Sequence, residues 1–111
     1  MKKSNNKEGD MELDKEFEII EINKPENAFR TFKKFRPDLV FLDISMPNIT
    51  GFEILEDIKK SGIDTKVVML SAFGNKRNVL KSFELGACDF IVKPFKKDQI
   101  IKYIEKYLFD N

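Results

Sequence analysis

Apolar residues fall along this chain in short runs whose period alternates between strand and helix. Phe17 to Ile22 reads as a strand, partly exposed because Glu18 and Glu21 interrupt it. Pro25 suits a first helical turn, and Ala28, Phe29, Phe32 and Phe35 then recur at helical spacing until Pro37 stops them. Leu39 to Leu42 carries no polar alternation, the pattern of a strand covered on both faces. After the Met46-Pro47-Asn48 loop, Thr50 and Glu53 stand at capping-box spacing ahead of Phe52, Ile54, Leu55 and Ile58. Ser61-Gly62 ends that helix, and Val67 to Leu70 is a second buried strand. Val79, Leu80 and Phe83 mark a helix closed by Gly86, Cys88 to Val92 is a strand, and Ile100, Ile101, Ile104 and Leu108 stripe a last helix. Strands alternate strictly with helices, which predicts an α/β fold: a doubly wound parallel sheet with helices on both faces.

Composition narrows the class. At 111 residues the chain has room for one domain, and 41% hydrophobic content with 11 Phe is enough for a core. Lys+Arg 20 against Asp+Glu 19 leaves +1, so no overall field draws in nucleic acid or a membrane. The single Cys88 excludes an internal disulfide and fits a reducing cytosol, where it reads as a small apolar residue in a buried strand. Met1-Lys2-Lys3 is followed by polar residues rather than an apolar signal region, so the expected location is cytoplasmic. Residues 1–16 are polar and mixed in charge, a segment expected to be mobile or weakly helical, and the folded domain is expected over 17–111.

Three of the apolar runs end in a reactive polar side chain: Leu39 to Leu42 in Asp43, Val67 to Leu70 in Ser71, and Phe90 to Val92 in Lys93-Pro94. As parallel neighbours they would bring a carboxylate, a hydroxyl and an ammonium to one sheet edge, where open α/β sheets hold their ligands. The chemistry this suggests is a phosphoryl group on or near Asp43. Taken singly, each residue is ordinary: a strand-end acid, a turn or cap serine, a solvated lysine. Only their joint placement carries the argument.

Pro37 to Asn48 with Gly51, Leu70-Ser71-Ala72, and Gly86 to Phe95 resemble, in that order, the three motif segments of bacterial response-regulator (CheY-like) receiver domains. The resemblance implies a flavodoxin-like fold over about residues 17 to 109. It implies that Asp43 is the phosphorylated aspartate and that Lys93 and Ser71 bind the phosphoryl oxygens. Asp43 and the Ser45 backbone carbonyl would be Mg²⁺ ligands, the peptide before Pro94 would be cis, and Phe90 with Ser71 would act as the switch. The implied partners are a sensor histidine kinase or phosphotransfer protein and a downstream protein bound through residues 76–109, with no nucleic acid or membrane.

A complete member of that family opens with another strand ending in an acidic pair that holds Mg²⁺, and no apolar run precedes Phe17, only Met11 and Leu13 breaking a polar segment. That strand is an inner one, and losing its ladder would cost about 5–10 kcal/mol, as much as a whole domain's stability. Either the natural chain is longer, or a partner chain donates the strand, or Phe17 to Asn23 moves beside the Asp43 strand through a right-handed crossover. The last gives a sheet of four strands and brings Glu21 or Asn23 near Asp43. The expected function is a single-domain phosphorelay receiver with impaired Mg²⁺ binding, a signalling protein and not an enzyme. The alternative is a pseudo-receiver that binds partners without phosphate. A haloacid-dehalogenase-type phosphatase wants a second acid two residues beyond Asp43, where Ser45 stands.

Overall fold

The structure, a computed structural model, describes residues 25–44 and 50–109. The strand expected at Phe17 to Ile22, with Glu21 and Asn23, and the loop residues Ser45 to Asn48 lie outside the described residues. A 3₁₀ turn, Pro25–Asn27, leads into α1 (Ala28–Phe35). Ala28 and Phe32, one turn apart, are its buried positions, and Arg30, Lys33 and Lys34 form the opposite, exposed face. Arg36 precedes Pro37 and so cannot continue the helix. It takes a left-handed conformation with φ of 45°, its N–H donating to the Phe32 carbonyl at 2.8 Å.

Next come β1 (Leu39–Asp43), α2 (Gly51–Lys60), β2 (Lys66–Ser71), α3 (Lys76–Glu84) and β3 (Asp89–Val92). The strands are parallel in the order β1-β2-β3, with Val40 opposite Val67 and Met69 opposite Phe90. Right-handed crossovers in that sequential order put α2 and α3 on one face. Lys81 of α3 lies over the Phe52 ring of α2, 4.7 Å from its centroid, as that arrangement requires. The core between helices and sheet holds Phe32, Leu42, Ile54, Leu55, Ile58, Val67 and Met69. This is the expected parallel α/β architecture of the flavodoxin-like kind.

Three local expectations change. Leu42 alone is buried among Leu39 to Leu42, whereas Val67, Val68 and Met69 of β2 are completely enclosed. The middle strand has a described neighbour on each side, and β1 has one. Cys88 is half-buried and leads into β3, its N–H donating to the Val67 carbonyl at 2.9 Å just before the paired register begins with Asp89 opposite Val68. In α3 the apolar markers Leu80 and Phe83 face solvent, 50% and 46% exposed, and Ser82 is the buried residue. Ser82 fits there because its hydroxyl donates to the Asn78 carbonyl one turn back, at 2.8 Å.

Residues Phe95–Phe109 belong to a second compact unit. They form α4 (Lys97–Ile104) and a π-helical turn, Glu105–Phe109, in which Tyr107 stacks on Tyr103. Of the expected stripe, Ile104 is buried and Ile100, Ile101 and Leu108 are half-buried. No helix among the described residues is long and apolar enough to cross a membrane.

Candidate functional site

Strand register brings the three run ends to one edge. Asp43 closes β1 opposite Leu70, and Ser71, one residue further along β2, lies opposite Val92. The Lys93 N–H donates to the Ser71 carbonyl at 2.8 Å, which carries the ladder one step past β3. The Lys93–Pro94 peptide is cis. Two strand spacings separate β1 from β3, about 9.6 Å, so only a long side chain spans them. Lys93 does so: its ammonium donates to Asp43 Oδ2, forming an ion pair across the end of β2. The side chains of Lys93 and Asp43 are 37% and 29% exposed, so the pair stays open to solvent and to a reactant. An ion pair that open contributes about 0.5 kcal/mol to stability, so its value lies in where it puts the charges.

Ser71, between them in the sheet, is completely buried and turned elsewhere. Its Oγ accepts from the Phe73 N–H at 2.9 Å and donates to the Phe73 carbonyl at 3.2 Å. A serine has one hydroxyl proton, so this proton is committed to the β2–α3 loop and not to Asp43. Phe90, on β3, is half-buried with its side chain against the core and is not part of the charged cluster.

The amino end of α2 is pressed against the end of β1. Thr50 Oγ1 accepts from the Glu53 N–H at 3.3 Å, and Glu53 Oε2 accepts from the Thr50 N–H at 3.2 Å, closing a capping box. The Gly51 N–H donates to the Ile44 carbonyl at 2.9 Å. A Cβ at Gly51 would lie 2.2 Å from the Asp43 carbonyl oxygen, so no side chain fits there. The partial positive charge of a helix amino end therefore lies beside the Asp43 backbone.

Mg²⁺ seeks about six oxygens, one or two of them from carboxylates. Ser45, whose carbonyl was expected to serve, lies outside the described residues. Among the described residues no group of three His, Cys, Asp or Glu side chains is placed to hold a metal ion. The described donors do not by themselves amount to a Mg²⁺ site.

Two features of this edge escape a reading of the sequence. The Phe73 carbonyl accepts both from Ser71 Oγ and from Asn78 Nδ2, the latter at 3.0 Å, and the Phe73 residue is 66% exposed beside the cluster. The available signal was Asn75-x-x-Asn78 at a helix start, where Asn75 Oδ1 caps the Asn78 N–H at 2.9 Å.

The chain matches the family model described as response regulator receiver domain over residues 10–105. It is 38% identical over 93 residues to the chemotaxis protein CheY of Bacillus subtilis, covering 83% of this chain and 78% of that one. It is also 38% identical over 98 residues to the sensory transduction protein LytT of Bacillus cereus, covering 87% of this chain and 39% of LytT. The crystal structure of Vibrio cholerae chemotaxis protein CheY4 superposes with a TM-score of 0.70 at 26% identity, over 75% of this chain and 71% of that one.

Proposed function

The chain belongs to the response-regulator receiver family, and from that premise we propose that it is a phosphorelay receiver that accepts a phosphoryl group on Asp43. Members of this family are signalling modules of two-component systems. The observation that carries the reading is the Lys93 ammonium held on the Asp43 carboxylate at the open end of the sheet. An Asp43 oxygen attacks phosphorus in line. The new O–P bond forms as the bond to the donor's nitrogen breaks, and the leaving nitrogen takes up a proton. These 111 residues contain no histidine, so the phosphohistidine lies outside them, on a sensor histidine kinase or a phosphotransfer protein. The Lys93–Asp43 ion pair supports a role for Lys93 in offsetting charge on the phosphoryl oxygens. Ser71 donates its hydroxyl to the same group once it releases the Phe73 carbonyl, and Phe90 responds as the switch aromatic.

Family members bind Mg²⁺. Here Asp43 and the Ser45 carbonyl are the proposed contacts, and the affinity is low. The surface for a downstream protein includes Leu80, Phe83 and Val92, which are exposed large apolar residues.

Intact mass after incubation with phosphoramidate and Mg²⁺, on material folded by circular dichroism, tests the reading. The expected result is a single phosphoryl adduct that vanishes in Asp43→Asn and falls at least about tenfold in Lys93→Ala, the loss typical of one stabilising group. A folded chain that takes up no phosphoryl group would instead be a phosphate-independent binding module.

A further inference from the structure

We propose that Asn78 is a positioning residue for Ser71: its side-chain amide keeps the Phe73 carbonyl paired, which frees the Ser71 hydroxyl to turn to a phosphoryl group on Asp43. The inference rests on the phosphoacceptor reading and adds a residue to it. The Phe73 carbonyl has two lone pairs and two donors, the Ser71 hydroxyl at 3.2 Å and Asn78 Nδ2 at 3.0 Å. The serine's bond is the longer. When Ser71 moves its one proton to a phosphoryl oxygen, the carbonyl keeps the Asn78 bond. Without the Asn78 amide, the same movement strips the carbonyl of both protein donors and leaves it to water, a net loss on the scale of one ordinary hydrogen bond that opposes the change.

The side chain can be removed cleanly. Asn78 takes part in the α3 cap through its backbone N–H, which Asn75 Oδ1 accepts, and its backbone carbonyl receives the Ser82 hydroxyl. Neither bond needs the Asn78 amide, so Asn78→Ala deletes the bond to Phe73 and leaves the helix start intact.

The test is a double-mutant cycle on affinity for beryllofluoride with Mg²⁺, a phosphoryl mimic, measured by calorimetry. Asn78→Ala weakens binding about fivefold in the parent chain, the scale of one hydrogen bond, and by less than about 1.5-fold when Ser71 is already Ala. Asn78→Asp, which replaces the donor with an acceptor, repeats the pattern with a larger loss. A purely structural role would cost the same in both backgrounds, and that result overturns the proposal. Without ligand, the Phe73 carbonyl carbon resonance shifts in Asn78→Ala and again in Ser71→Ala; an unmoved resonance in Asn78→Ala also overturns it. Should the folded parent bind no beryllofluoride, the phosphoacceptor reading falls and this inference with it. Should it bind while both backgrounds respond alike, the role of Asn78 alone is lost.

Discussion

Side-chain length and proton count decide what each residue does at the sheet edge. Lysine spans two strand spacings, so Lys93 finds Asp43, while the short side chain of Ser71, one strand from Asp43, bonds within its own loop to the carbonyl two residues on. Backbone conformation is settled at the same scale. Arg36 holds φ of 45°, a region that costs a residue with a Cβ about 1 kcal/mol and glycine little. Its side chain is exposed. Arg36→Gly is therefore expected to raise stability by about 0.5–1 kcal/mol, a few degrees in thermal midpoint by circular dichroism. A lower midpoint would mean that the arginine side chain contributes more than the strain costs.

Among elements, the docking of α2 on β1 governs how the Asp43 backbone is held. Two substitutions at its amino end separate capping from close approach. Thr50→Ala removes a cap that solvent partly replaces and should cost about 1 kcal/mol. Gly51→Ala drives a methyl into the Asp43 carbonyl and should cost about 2–3 kcal/mol. Urea unfolding checks the order: equal losses would show that α2 can slide away from the strand end. The capping box was legible in the sequence because Thr50 and Glu53 are three residues apart. The contact between Gly51 and Asp43 was not, since it depends on how the chain returns after β1.

At the scale of the whole molecule, the enclosed core and the exposed side of α3 should respond differently to substitution. Leu55 has no exposed surface and sits within the core cluster, so Leu55→Ala should cost about 2–5 kcal/mol. Phe83, on the outer side of α3, is nearly half exposed, and Phe83→Ser should change stability by about 0.5 kcal/mol or less. Chemical denaturation of the two variants checks this. A large loss for Phe83→Ser would show that the exposed side of α3 supports the fold and would count against the proposed partner surface there.

From Pro25 onward, the order of elements, the parallel α/β class and the three strand-end side chains follow from the sequence alone. Period, turn residues and capping spacing are local properties, written within a dozen residues. The family resemblance rests on those same segments. Tertiary structure alone decided that β2 is the enclosed strand, that Ser82 and not Leu80 or Phe83 faces inward from α3, and that Cys88 is only half-buried. It also paired Lys93 with Asp43 and turned Ser71 to the carbonyl it shares with Asn78. Each of these depends on register between distant segments, or on which of several acceptors a single proton reaches first. Such choices are made by neighbours that the linear pattern does not name.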